Sequence, residues 1–130
     1  MASIVGTWKL VRATGKDGDG NPLPEPYGGK GIGRVTFTAD GRMQSVVCDG
    51  RREIPPGETR DYSSYCGNYT FDGSRLVTRV DAASEPSRLG SDQLRGVRFE
   101  GDLVVLSPPP RRSGSKEEYR ELTWQRISAE

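Results

Sequence analysis

Three short turns that contain an Asp-Gly or Gly-Asp pair divide the middle of this chain into hairpins. They lie at residues 39–42, 72–74 and 100–102. Glycine beside aspartate suits the positive φ angles that tight hairpin turns require. Each turn joins two segments in which apolar and polar residues alternate, which is the pattern of half-buried strands. The sequence therefore predicts consecutive antiparallel hairpins.

The predicted strands cover most of the chain and number about eight. They span residues 4–14, 33–38, 43–48, 62–71, 75–83, 93–99, 103–107 and 118–127. A meander of this many strands removes its exposed edges most simply by closing on itself. We therefore predict an all-β fold in which residues 1–130 form a single domain, a closed up-and-down antiparallel barrel. An open or flattened sandwich is the alternative.

Composition excludes several classes of function. The 130 residues include 19 basic and 18 acidic side chains, a net charge of +1, so the overall charge does not attract nucleic acid. There is neither an apolar run of about 18 residues, the length of a membrane span, nor a signal-peptide pattern. We expect a cytoplasmic monomer or homodimer with no nucleic-acid or membrane partner. Histidine is absent, which removes the commonest zinc ligand and general base, and we expect no metal and no cofactor.

Cys48 and Cys66 are the two cysteines of the chain. They lie on predicted strands that flank the polar loop at residues 49–60. Both occupy the outward side of their strands, where they could face each other across an antiparallel pair. In a reducing cytosol we expect two free, partly buried thiols.

Motifs near both ends of the chain resemble those of the lipocalin superfamily. Residues 6–8 read Gly-Thr-Trp on the first predicted strand, and residues 122–126 read Leu-Thr-Trp-Gln-Arg on the last. Between them lie an aromatic-Thr-x-Asp-Gly-x-Met run at residues 37–43 and a Tyr-x-Gly-x-Tyr run at residues 65–69. Taken in order, these motifs are similar to those of a small bacterial lipocalin-like domain family.

The resemblance implies a structural role for two residues. In that superfamily the indole on the first strand plugs the closed end of the barrel, and an arginine from the last strand packs over it. Here these residues are Trp8 and Arg126. Phe37 stands where the family often has Tyr, and Thr78 and Arg79 stand where His is common, so no chemistry of those groups is implied for this chain.

The inward-facing positions predict a pocket for a small molecule. If Trp8 faces inward, the alternation along each hairpin gives a mostly apolar interior with a few polar atoms. Apolar walls with a few polar groups are typical of small-molecule sites. The candidate ligand-binding residues are Phe37, Met43, Ser45, Tyr65, Tyr69, Thr78, Arg95 and Trp124. The long polar loop at residues 15–30 would act as a lid.

Arg95 is the most specific of these candidates. It lies on the same side of its strand as Val97 and Phe99, and its position matches an arginine in the family's pattern. A guanidinium inside a barrel needs a partner. A ligand carboxylate, enolate or phenolate would supply one; a backbone carbonyl or solvent at the rim is the alternative. Tyr65 and Tyr69 would either bind a ligand or pack as core aromatics.

Two functions fit this interior, and a third stays open. The first is binding of a small, largely apolar molecule, which would be anionic if it pairs with Arg95. The second, implied by related barrels, is a cofactor-free cyclase or isomerase acting on a natural-product intermediate, with Tyr65, Tyr69 and Arg95 stabilising developing charge. The interior positions carry no carboxylate, since Asp81 and Glu121 face outward, and this favours binding over proton transfer. The third is a protein-interaction barrel with a filled interior.

Overall fold

The computed structural model describes residues 3–113 and 116–129. The strands are β1 Gly6–Asp17, β2 Gly31–Phe37, β3 Arg42–Asp49, β4 Tyr62–Phe71, β5 Arg75–Ala83, β6 Asp92–Glu100, β7 Leu103–Ser107, β8 Arg111–Ser113 and β9 Lys116–Ser128. Two single 3-10 turns lie at Tyr27–Gly29 and Pro86–Arg88. No helix in the described part of the chain is long and apolar enough to cross a membrane.

The strands form one antiparallel sheet that closes into a barrel. From β1 to β7 each strand pairs with the next in the chain, and β9 pairs with β7 on one side and β1 on the other. The β1–β9 seam is long, running from Thr7 opposite Ser128 to Asp17 opposite Glu118. The predicted closed up-and-down barrel of eight strands is confirmed, with β8 as an additional short strand on β9.

The short strand β8 lies where the sequence predicted a loop over residues 107–116. Arg111 and Arg112 pair with Glu118 and Glu117 of β9. Three prolines at residues 108–110 separate β8 from β7; they end the β7 pairing because proline has no N–H to donate to a sheet. Residues 114 and 115 lie outside the described residues.

The seam of the barrel is closed by Trp8 and Arg126, which pair in register. The Arg126 guanidinium carbon lies 4.2 Å from the centre of the Trp8 ring, and its nitrogens donate to the carbonyls of Val5 and Ser3. Gly6 has a φ of +133°, and a Cβ there would lie 2.5 Å from the Ser128 carbonyl oxygen. The glycine of the Gly-x-Trp motif is therefore required by the close approach of the last strand.

The core fills the end of the barrel that contains Trp8 and Arg126. Its largest fully buried side chains are Trp8, Trp124, Phe37 and Leu76, all at positions that the alternation predicted to face inward. Gly67 marks an irregularity in the β4–β5 pair, because a Cβ there would lie 1.9 Å from the Arg79 carbonyl oxygen. The strands can approach this closely only at glycine.

The two cysteines do not face each other, contrary to the prediction. Cys48 lies opposite Tyr62, and Cys66 lies opposite Gln44. Both side chains are free and partly buried. The alternation correctly predicted that both cysteines lie on the outward side of the sheet. It could not predict which residues of β3 lie opposite which residues of β4, because that register depends on the long loop that joins the two strands.

Candidate functional site

A cavity of about 360 Å³ occupies the barrel interior beyond the core. This volume lies within the range of sites that hold small molecules, roughly 300–1,000 Å³. Its apolar wall is built mainly from inward positions of β2, β3, β5 and β9 and comprises Val35, Phe37, Met43, Val47, Leu76, Leu106, Leu122 and Trp124. The hypothesis of a protein-interaction barrel required an interior filled by side chains, and this interior is not filled.

Six of the eight predicted ligand-binding residues line this cavity. They are Phe37, Met43, Ser45, Tyr65, Arg95 and Trp124. Phe37 and Met43 face each other across the first hairpin, as Ser45 and Tyr65 do across β3 and β4. Each lies on the inward side of its strand because side chains alternate between the two faces of a sheet.

Tyr69 and Thr78 do not line the cavity, contrary to the prediction. They pair with each other across β4 and β5. The Tyr69 ring packs edge-on against Phe37, 5.1 Å between ring centres, and its hydroxyl donates to the Thr38 carbonyl at 2.7 Å. Thr78 is 1% exposed. Both face inward as predicted, but core packing covers them before they reach the open space.

Two arginines lie near the Tyr65 ring at the cavity wall. The guanidinium carbons of Arg88 and Arg95 lie 5.3 Å and 5.9 Å from the ring centre. Arg95 donates to the Leu94 carbonyl at 2.7 Å, and Arg88 donates to the Ser63 hydroxyl at 3.4 Å. Arg95 therefore takes the backbone carbonyl that was one predicted alternative, and the other donors of its guanidinium fork are not used by that bond.

The two tryptophans differ in the state of their indole nitrogens. Trp8 Nε1 donates to the Ile4 carbonyl at 3.0 Å. Trp124 is 2% exposed and lines the cavity, yet its buried Nε1 has no hydrogen-bond partner among the residues that the structure describes. A buried donor without an acceptor costs about 1–3 kcal/mol. The cavity wall thus carries a donor whose hydrogen-bonding capacity the protein does not satisfy.

Nearly the whole chain matches one protein family. The model of a family described as a lipocalin-like domain matches residues 5–127. The chain belongs to this family. No curated protein and no solved structure matches it. Barrels of this kind can hold a small ligand in their interior, and the general function of a lipocalin-like domain is small-molecule binding.

The sequence did not identify the polar rim of the lipocalin-like domain. Besides the predicted residues, the cavity is lined by Tyr27, Ser63, Arg88, Gln93, Pro108, Pro109, Arg111 and Arg120. Arg120 could have been found, because it shares the inward side of its strand with Leu122 and Trp124. Arg88 and Arg111 could not, since they follow turn and proline segments where the alternation gives no direction.

Tyr27 is the part of the predicted lid, residues 15–30, that reaches the cavity. Its backbone is left-handed, with φ of 58°, a conformation uncommon for a residue that is not glycine. Burial raises the pKa of its phenol, while the charges of Arg120 and Arg88 oppose that shift. The phenol is therefore neutral at physiological pH and lies within electrostatic range of the arginines at the rim.

A buried ion pair holds the loop at residues 50–61, which contributes no residue to the cavity lining. Asp49 is 1% exposed and accepts hydrogen bonds from the Arg51 backbone and guanidinium, the shortest 2.6 Å long. Arg60 donates to the carbonyls of both residues. The Arg51 hydrogen bonds hold the pKa of Asp49 below its usual value. In the described ranges no group of three His, Cys, Asp or Glu side chains could hold a metal ion.

Proposed function

We propose that this lipocalin-like domain binds a small, largely apolar molecule, with the apolar part deep in the barrel and an anionic group towards the rim. The cavity of about 360 Å³ carries the proposal. Its deep wall includes Phe37, Met43 and Trp124. Apolar surface that leaves water there stabilises the complex by about 25 cal/mol per Å².

Arg95 supports the anionic end of this proposal. Its guanidinium lies against Tyr65 on the cavity wall and takes part in no ion pair within the described chain. A charge-assisted hydrogen bond to a ligand anion is stronger than one to a neutral acceptor. A ligand with an apolar body and one anionic group would therefore satisfy both parts of the wall.

A fluorescent probe tests occupation of the cavity. N-phenyl-1-naphthylamine is neutral, apolar and brighter in an apolar site, so its emission should rise on titration with the protein. Ser45 is 9% exposed and lines the cavity, so Ser45→Leu places a larger side chain in the open space and should weaken binding by about tenfold or more. Circular dichroism and urea unfolding confirm that the variant is folded.

Gln44→Leu is the matched control. Gln44 precedes Ser45 on β3 and is exposed on the outer face of the barrel, so the same side chain is added outside the cavity. The control should bind the probe as the wild type does. Equal probe affinity in both variants, or no binding by the wild-type protein, contradicts the proposed function.

A cofactor-free cyclase or isomerase is the second candidate. The observation that favours it is the pair of guanidinium groups against the Tyr65 ring, since such groups stabilise negative charge that develops in a transition state. Native mass spectrometry of protein purified from its own host separates the two functions. An adduct that accumulates only in Tyr65→Phe favours the enzyme. The same adduct in the wild-type protein and in Tyr65→Phe favours binding alone.

A further inference from the structure

Four arginines contribute to the lining of one small cavity. They are Arg88, Arg95, Arg111 and Arg120. They come from four separate segments: the 3-10 turn before β6, then β6, β8 and β9. Only Arg95 was predicted from the sequence. The fold thus collects positive charge at the rim from places that are far apart in the chain.

The rim contains very little negative charge to balance these arginines. Among the described residues that line the cavity there is no Asp and no Glu. Arg120 pairs with Glu118, outside the lining, at 3.2 Å. The other three arginines form no ion pair with any residue the structure describes. This local excess contrasts with the net charge of +1 for the whole chain.

The positions of the arginines favour one compact headgroup. Arg88 and Arg95 lie against the same ring, that of Tyr65, and the Ser63 hydroxyl is within 3.4 Å of Arg88. One carboxylate can take both N–H groups of a single guanidinium fork. It supplies one negative charge, which is fewer than the rim can neutralise. A phosphate monoester supplies about two charges and three acceptor oxygens on one atom.

We infer that the ligand of this cavity is an amphipathic phosphate monoester, whose dianionic head binds between Arg88 and Arg95 while its apolar body lies towards Trp124. The inference rests on the proposed function and names the ligand class of the same site. The Ser63 hydroxyl, 3.4 Å from Arg88 Nη1, is a further hydrogen-bonding group beside the head.

Two probes that differ by one charge test the inference. Decyl phosphate and decyl sulfate share the alkyl chain and the tetrahedral head, and at about pH 8 the phosphate carries nearly two charges whereas the sulfate carries one. Each is titrated as a monomeric solution against protein loaded with N-phenyl-1-naphthylamine. We expect decyl phosphate to bind about tenfold more tightly, the effect of one added charge-assisted contact.

A change of pH removes the difference between the probes. Near pH 5 the phosphate head falls to about one charge. The chain has no histidine, the side chain that ordinarily changes charge in this range, and the polar rim is otherwise formed by Tyr27, Tyr65, Ser63, Gln93 and the four arginines. The nearby carboxylates are Glu118, paired with Arg120, and Asp61, whose charge acts on Tyr27; both lie outside the lining and act on the two probes alike. The two probes should therefore bind about equally at the lower pH.

Variants locate the effect. Arg88→Met should reduce the preference for decyl phosphate at pH 8 to about threefold or less. The preference is the ratio of the two dissociation constants within each variant, so a change in affinity for the neutral fluorescent probe does not enter it. The Arg88 side chain forms one long hydrogen bond within the described chain, so its removal should not unfold the barrel. Arg34→Met, on the outer face of β2, removes the same charge outside the cavity and should keep the full preference.

The outcomes separate this inference from the proposed function. Equal affinities of the two probes at pH 8, or a preference that Arg34→Met reduces as much as Arg88→Met, overturn the phosphate head while binding of the neutral probe still supports the cavity. Displacement by inorganic phosphate as strong as by decyl phosphate also overturns it, because the apolar body would then contribute nothing. Failure of every probe to bind contradicts the proposed function itself.

Discussion

The guanidinium carbon of Arg126 lies 4.2 Å from the centre of the Trp8 indole ring. The same guanidinium donates to the carbonyls of Val5 and Ser3. One side chain from the last strand thus covers the plug of the barrel and also fixes the segment that precedes the first strand.

Arg126→Met should lower the free energy of unfolding by about 2 kcal/mol, because it removes a cation–π contact and leaves two carbonyls without their donor. Urea unfolding followed by tryptophan fluorescence measures the change. Arg34→Met is the control, since Arg34 is exposed and bonds only to the neighbouring Gly33 carbonyl. Equal effects of the two substitutions would show that the seam contact does not stabilise the barrel.

Gly6→Ala tests the close approach at the same seam. The added methyl would lie 2.5 Å from the Ser128 carbonyl oxygen and 2.6 Å from Arg126 Nη1, at a φ that disfavours alanine. We expect a loss of about 2 kcal/mol in unfolding free energy. Because one of the two clashes involves Arg126, the loss should be smaller in an Arg126→Met background. A double-mutant cycle measures this coupling, and strict additivity would argue against it.

The unpartnered indole of Trp124 predicts a spectroscopic response to ligand. Proton–nitrogen correlation spectra should show two indole resonances, assigned with Trp124→Phe. Binding of 2-octanone, which brings a carbonyl acceptor into the apolar cavity, should move the Trp124 resonance downfield, since a satisfied donor is more stable than a bare one. Octane should not. Trp8 is the internal control because it already donates to Ile4, and a response confined to Trp8 would count against the assignment.

Asp49 predicts how stability depends on pH. Its hydrogen bonds with Arg51 hold its folded pKa below 3.8, the ordinary value of an aspartate side chain. The pair therefore contributes stability that is fully present above that value and is lost as the pH falls through the lower, folded pKa. Asp49→Asn should destabilise the protein at neutral pH and flatten the acid limb of the unfolding profile.

Urea midpoints measured between neutral pH and about pH 2 check this prediction. Asp19→Asn removes a carboxyl from an exposed turn and should leave the acid limb in place. A profile of Asp49→Asn that runs parallel to the wild type across the acid range would show that the buried pair is not the source of the pH dependence.

Much of the fold followed from the sequence because the turns carry their own geometry. The Asp-Gly turn at residues 39–42 fixed the register of the first hairpin, and the alternation then placed Phe37 and Arg95 on the inward side. The same alternation could not give the register of β3 against β4, whose connection spans residues 50–61. For that reason the possible pairing of Cys48 with Cys66 is not met, since each lies opposite another residue, whereas the prediction of two free, partly buried thiols is confirmed.

The site was less predictable because part of its rim lies outside the strands that the sequence predicted. Arg88 and Arg111 reach the cavity from a 3-10 turn and from a short strand after three prolines, where no period relates sequence position to direction. Depth in the barrel was also hidden, because Tyr69 and Thr78 face inward but are covered by packing around Phe37 and the core. Alternation predicts whether a side chain faces inward or outward. It does not predict which part of the barrel interior is packed and which part is open.

Intermolecular nuclear Overhauser effects between N-phenyl-1-naphthylamine and the protein test most directly whether a ligand occupies the interior. Contacts from the probe's ring protons to the side chains of Phe37, Met43 and Trp124, which line the cavity, are the predicted result. Contacts instead to Ile32 and Tyr62, apolar side chains 53% and 57% exposed on the outer face, would contradict the account.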